Sequence, residues 1–146
     1  MLVSIEILEN RNDMRPYLDD PFCLEVFDSF EKYYPKVGFF RPWIGYFFLD
    51  GENIVATGGF KGQPKNRKIE IAYGTVPLYE GRSYATEVCH KLVHLALDTD
   101  PSLLITARTI KEENASTRVL KKNNFKLMGS VEDPEDGEVW EWHYEC

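Results

Sequence analysis

The 146-residue sequence predicts an α/β fold: a mixed, mostly antiparallel central sheet with helices on both faces. Three observations carry that expectation. Two strand-like runs, WIGYFFL and NIVATGGF, flank Asp50-Gly51, a hairpin signal. KIEIAYGTV, a helical pattern and the β-rich LLITART then follow in order, a strand–helix–strand unit. Two further strand-like runs, FKLMGSV and EVWEWHY, close the chain across the turn DPEDG.

Taken in order, VSIEIL alternates and reads as a short strand, and the polar ENRNDMRPYLDD reads as a loop or irregular turn. Asp20 and Pro21 look like an N-cap and first helical position. Phe22, Cys23, Val26, Phe27, Phe30 and Tyr34 then recur near helical spacing, and Pro35 is expected to end the helix. The hairpin strands come next, followed by a second turn cluster, GQPKNR. In KIEIAYGTV, alternation sends Ile69, Ile71 and Tyr73 to one face and Glu70, Ala72 and Gly74 to the other.

The clearest helix follows. Ala85, Val88, Cys89, Leu92 and Ala96 form its apolar stripe, opposite Glu87, His90, Lys91, His94 and Asp98. Asp100-Pro101 stops it. EENASTRVLKKNN reads as a shorter helix that Asn123-Asn124 ends. The last strand sets Trp140, Trp142 and Tyr144 against Glu141 and His143, so the tryptophans are expected in the core or in a homodimer interface.

Composition narrows the class. Hydrophobic residues make up 43% and charged residues 28%, so residues 1–146 are expected to form a single globular domain. A formal net charge of −7 argues against a nucleic-acid clamp and would tolerate a small cationic substrate. Cys23, Cys89 and Cys146 are odd in number and widely spaced, which predicts neither a disulfide framework nor a zinc site and fits a reducing cytoplasm. The acidic start lacks the order of a signal peptide, and no apolar run nears the roughly 20 residues that span a bilayer, so no membrane partner is expected.

The segment PLYEGRSYATEVCHKLV opens the long helix. The first amides of a helix have no intrahelical acceptor and sit at its positive end, so such a loop can hold a phosphate. Gly81 permits an unusual backbone turn, Arg82 adds positive charge, and Ser83 and Thr86 add hydroxyls. A plain strand-to-helix turn uses the same residues. No Lys-Ser/Thr pair makes this a P-loop, and the glycines of a dinucleotide loop are missing.

In this context IAYGTVPLYEGRSYATEV resembles the acetyl-CoA signature of the GNAT acetyltransferase superfamily, Gln/Arg-x-x-Gly-x-Gly/Ala. ITARTIKEENASTRVLKKNNF resembles a later block of that fold, and DGEVWEWHY its closing strand. The resemblance covers roughly residues 40–146, and the element order is that of the family. It departs at Glu80, where Gln or Arg is usual, at Ser83 for Gly, at Asn124 for Gly, and at Leu120, where many relatives carry a Tyr proposed to protonate the leaving thiolate.

The resemblance implies transfer of an acetyl group from acetyl-CoA, as co-substrate and without a metal, to a primary amine of a small molecule or a protein amino-terminus by direct attack. It implies that amides of Thr75 and Val76 face the acetyl and pantetheine arm, and that amides from about Gly81 to Ala85, with Arg82, Ser83, Tyr84 and Thr86 beside them, hold the pyrophosphate. Glu80 must then point away, pair with Arg82 or another base, or weaken binding. Glu70 is the candidate base, acting through a water, or else a solvent-facing strand carboxylate. Tyr84 or Tyr73 is the candidate donor to the thiolate. Asn114 or Ser116 touches the cofactor arm, or caps the second helix. Phe39, Phe40 and Trp43 line an acceptor pocket or pack in the core. His90 and His94 are expected to be solvated, and Cys89 to be a core thiol. The alternative reading is a non-catalytic acyl-CoA-binding sensory or interaction module.

Overall fold

A computed structural model describes residues 2–145; the terminal Cys146, expected to be inert, lies outside the described residues. Its elements are β1 (Leu2–Glu6), α1 (Arg11–Met14), α2 (Pro21–Val37), β2 (Gly45–Asp50), β3 (Asn53–Phe60), β4 (Lys68–Thr75), α3 (Tyr84–Thr99), β5 (Leu104–Thr109), α4 (Ala115–Lys122), β6 (Phe125–Asp133) and β7 (Gly137–Tyr144). The strands form one sheet in the order β1-β2-β3-β4-β5-β7-β6. Only β4–β5 is parallel, because α3 carries the chain back between them; the other pairs are antiparallel.

The segment expected to be a loop holds α1. Asn10 accepts the Asn12 amide at 2.8 Å, and Met14 anchors the turn in the core at 1% exposure. A 3-10 turn, Arg15–Tyr17, follows. Asp20 caps α2 as expected, accepting the amides of Phe22 and Cys23. Pro35 does not end the helix. Its missing N–H deprives only the Glu31 carbonyl, on an exposed stretch where water can replace it, and α2 runs to Val37. Gly38, at φ 87°, ends it by donating to the Tyr34 carbonyl at 2.7 Å. β6 likewise outruns its expected end and reaches Asp133, whose Oδ1 accepts the amides of Glu135 and Asp136 and shapes the turn into β7.

Alternation along the strands builds a core on each face of the sheet. Phe47 packs with Ile7, Met14, Cys23 and Phe27, under α1 and α2. Its neighbours Tyr46 and Phe48 join the larger cluster with Ile69, Ile71, Ile105 and Trp142, which α3 and α4 cover through Val88, Leu92 and Leu120. Trp142 is 1% exposed, and its indole donates to the Thr109 hydroxyl at 3.0 Å, which makes it a core residue.

Candidate active site

The parallel ladder between β4 and β5 runs from Lys68↔Leu104 to Ile71↔Ala107 and stops. Beyond it each strand keeps its outer neighbour. β4 stays on β3 through Tyr73↔Gly58, Gly74↔Thr57 and Thr75↔Ala56, while β5 stays on β7 through Arg108↔Glu141 and Thr109↔Trp140. The strands therefore part into a wedge in the middle of the sheet. Amides along a strand alternate in direction. The Val76 amide donates to the Val55 carbonyl at 2.9 Å, on the β3 side. The Tyr73 and Thr75 amides therefore point toward β5, into the wedge. The Thr75 amide is thus open to the wedge, whereas the Val76 amide is already held by β3.

Two helix starts follow the parting strands, α3 after β4 and α4 after β5. At α3, Gly81 adopts φ 81° and Ser83 adopts φ 65°. Ser83 is the N-cap, but its side chain caps nothing. The amides of Tyr84, Ala85 and Thr86 thus lack both an intrahelical acceptor and a side-chain cap, the state in which a helix start can take a phosphate. Arg82 and Glu80 are both exposed, and Arg82 places its guanidinium 5.5 Å from the Tyr79 ring rather than on Glu80. At α4, Asn114 is the N-cap: its Oδ1 accepts the Thr117 amide at 3.1 Å, and the Thr117 hydroxyl accepts the Asn114 amide at 2.9 Å. The cap is therefore Asn114 and not Ser116. The Ser116 carbonyl instead accepts the Tyr73 hydroxyl at 3.2 Å, tying β4 to α4.

The two candidate donors fare differently. Tyr84 donates to Asp50 Oδ2 at 2.6 Å, at the turn of the β2–β3 hairpin. That hairpin lies on the side of β4 away from β5, so the Tyr84 hydroxyl is turned from the wedge; its bond to the Asp50 carboxylate also raises its pKa. Tyr73 lies at the wedge, but burial holds its phenol well above the usual range. Leu120 is fully buried and supplies no hydroxyl from the position that carries Tyr in many relatives.

Glu70 stands one residue before the ladder ends, on the α2 face. Its Oε2 lies 3.0 Å from Lys61 Nζ and its Oε1 lies 3.8 Å from Arg108 Nε. At 19% side-chain exposure it is an ion-paired cleft carboxylate, not a free surface one. Arg108 also reaches Asp133 at 3.0 Å and Glu141 at 3.2 Å, and Glu141 meets His143 at 2.9 Å. The amide of Glu135 and then the Arg108 guanidinium hold the Asp133 carboxyl down at about 2. Lys61, Arg108, Asp133 and Glu141 had no role in the sequence reading. The signal for two of them was Arg108 and Glu141 amid apolar strand residues, but pairing them requires the β5–β7 register.

Two adjoining clefts open beside Glu70, of about 500 Å³ and about 710 Å³. Val26, Phe30 and Tyr33 of α2 face Thr57, Ala72 and Gly74 across the first. The second holds Glu70, Thr106 and Arg108. The three other aromatic candidates do not line either cleft: Phe39 packs on Tyr34 and Trp43 on Phe60, while Phe40 is half exposed. His90 and His94 stack on an exposed face with ring centroids 4.2 Å apart. Among the described residues, no group of three or more His, Cys, Asp or Glu side chains could hold a metal ion. Burial pushes the Cys89 thiol up to about 12 and Cys23 to about 11, so both are core thiols. No helix among the described residues is long and apolar enough to cross a membrane.

Known proteins share this architecture. The spermidine N-acetyltransferase SpeG K23-Q34 chimera from Vibrio cholerae and hSSAT superposes with a TM-score of 0.71 at 16% identity, over 98% of this chain and 94% of that one. Aminoglycoside acetyltransferase AAC(6')-Ib in complex with coenzyme A gives 0.71 at 14% identity, over 99% and 95%. A Salmonella typhimurium acetyltransferase that modifies the N-terminal serine of ribosomal protein L7/L12 gives 0.71 at 12%, over 99% and 95%. At such identities the likeness is one of fold. In sequence, the uncharacterized N-acetyltransferase YjdG of Bacillus subtilis (strain 168) is 34% identical over 79 residues, which are 53% of this chain and 47% of that protein, so the match spans about half of the relative's length. Residues 8–126 match the family described as acetyltransferase (GNAT) domain, and the chain belongs to that family.

Proposed function

We propose that residues 1–146 act as one N-acetyltransferase domain, moving an acetyl group from acetyl-CoA to a primary amine in the cytoplasm. One observation carries the reading. The wedge between β4 and β5 leaves the Tyr73 and Thr75 amides turned away from β3, and β4 leads within nine residues into α3, whose first amides are uncapped. An extended arm ending in a pyrophosphate fits that set: strand amides for its peptide-like groups, helix-start amides for its charge.

Acetyl-CoA supplies a thioester whose acetyl group can pass to an amine. In net terms the amine and acetyl-CoA give the N-acetylated amine and coenzyme A thiol. The protein's part is to bind, orient and move protons. Thr75 and Tyr73 hold the arm by their amides, and Tyr84, Ala85 and Thr86 hold the pyrophosphate by theirs, with the Ser83 and Thr86 hydroxyls and the Arg82 charge beside them. Asn114 shapes the α4 start that borders the arm, and Ser116 fixes Tyr73 through its carbonyl. Glu70 takes a proton through a water from the acceptor ammonium, whose ordinary pKa is roughly 10. Lys61 and Arg108 hold its carboxylate in place. No side-chain hydroxyl is assigned to the leaving thiol.

Thiol release from acetyl-CoA, followed with a panel of primary amines, tests the reading. Amine-dependent release that Glu70→Gln slows by about 10²-fold or more is the expected result. Calorimetric binding of acetyl-CoA with no turnover on any amine would make the chain an acyl-CoA sensor instead.

A further inference from the structure

The clefts beside Glu70 are basic in a chain that is acidic overall. Lys32, Lys36, Lys61, Lys65, Lys68 and Arg108 line them, against the carboxylates of Glu70, Glu135 and Glu141. The chain as a whole carries −7. Two of the six cations are already engaged: Lys61 on Glu70, and Arg108 on Glu70, Asp133 and Glu141. Lys32, Lys36, Lys65 and Lys68 make no ion pair among the described residues.

Two of these lysines are set well away from the helix start proposed for the coenzyme's phosphates. Lys65 and Lys68 stand at the beginning of β4, and the loop into α3 lies past its other end. A strand of that length separates the two sites by roughly 20 Å or more. Lys36, Lys65 and Lys68 instead line the cleft that holds the proposed base, and Lys32 lines the cleft beside it. The neighbouring cleft offers an apolar wall of Val26, Phe30 and Tyr33, and both clefts share Lys36 and Lys61.

We propose that the acceptor is an anionic amine: a primary amine on an apolar body whose far end carries a carboxylate or a phosphate. The amine lies toward Glu70, the body lies along Tyr33, which lines both clefts, and the anion is met by Lys36 with Lys65 and Lys68. A polyamine or a polycationic sugar would bring positive charge against these lysines, so the acidic balance of the whole chain misleads about its acceptor. The inference rests on the acetyl-transfer reading above.

The test compares matched amines at equal acetyl-CoA: 4-(aminomethyl)benzoate against benzylamine, O-phosphoethanolamine against ethanolamine, and spermidine. In at least one pair the anionic member is expected to have a kcat/KM about tenfold above its neutral partner at low salt, with the advantage shrinking as salt rises. Which pair responds tells carboxylate from phosphate. Lys36→Glu combined with Lys65→Glu, both at exposed positions, removes that advantage while the acetyl-CoA dissociation constant stays within about twofold. Spermidine turning over faster than both anionic amines overturns the proposal alone, as does an anionic preference unmoved by the double charge reversal. No turnover with any amine overturns both the proposal and the enzymatic reading beneath it.

Discussion

Arg108→Met removes the guanidinium that gathers three carboxylates while keeping an unbranched side chain on β5. Arg108 bonds Asp133 at 3.0 Å and Glu141 at 3.2 Å, and its side chain is 25% exposed. A hydrogen bond to a charged group contributes about 1.5–3 kcal/mol when well buried. Partial exposure reduces that, and the carboxylates keep other partners: the Glu135 and Asp136 amides for Asp133, His143 for Glu141, and Lys61 for Glu70. The loss should then be about 2–4 kcal/mol. For 146 residues the unfolding entropy near the midpoint is about 0.3 kcal/mol/K, so Tm should fall by about 7–13 °C.

Asp133→Asn is the partner change. The carboxyl sits at about 2 against an ordinary 3.8, through the Glu135 amide first and Arg108 second. A depressed carboxyl stabilises the fold fully above its unfolded pKa and loses that contribution as pH falls from about 4 toward about 2. Asp133→Asn should therefore cost about 1–2 kcal/mol at neutral pH and flatten the acid limb of the stability profile. Urea unfolding of the parent, both single variants and the double variant closes the cycle. A coupling of about 1 kcal/mol or more is expected. Additivity within about 0.5 kcal/mol would refute the claim that Arg108 organises the cluster around Glu70.

Other expectations follow from the same geometry. Glu80→Gln removes a carboxylate from the loop ahead of α3; acetyl-CoA should bind more tightly by several-fold at low salt and by less at high salt, and an unchanged constant would show that the side chain lies clear of the pyrophosphate. Tyr84→Phe loses only an exposed bond to Asp50, so kcat should stay within about twofold and stability within about 0.5 kcal/mol; a hundredfold drop in kcat would return Tyr84 to the chemistry. Gly59→Ala would set a Cβ 2.6 Å from the Ile44 carbonyl oxygen and 2.8 Å from Gly45 Cα, backbone atoms that cannot swing aside, so urea unfolding should show a loss of at least 1–3 kcal/mol, roughly.

The fold was legible where local chemistry and periodicity agree. Asp50-Gly51, the Asp20-Pro21 start, the stripe from Ala85 to Ala96 and the positive-φ Asn124 each act within a few residues, and each stands where its pattern placed it. Pro35 misled because the cost of a helical proline depends on whether water can reach the carbonyl it deprives, which only the fold decides. α1 was missed because a four-residue helix is too short to show a period.

The candidate site was legible only in its backbone features. Gly81 and the α3 start were readable from one segment. The direction of the Thr75 amide, and the loss of Val76 to Val55, are set by which neighbour each strand keeps. Arg108, Lys61, Asp133 and Glu141 lie far apart in sequence, and only the sheet register brings them to Glu70. Tyr84 looked usable because it opens a helix next to the expected cofactor loop, but its ring turns toward Asp50.

Amide-resolved NMR during titration with coenzyme A, which lacks the acetyl group and cannot react, tests the placement of the coenzyme most directly. The Tyr73 and Thr75 resonances and those from Gly81 to Thr86 should move together and saturate with one constant, while Val76, already bonded to Val55, moves less. Saturating coenzyme that leaves Thr75 and the α3 amides where they were would contradict the account.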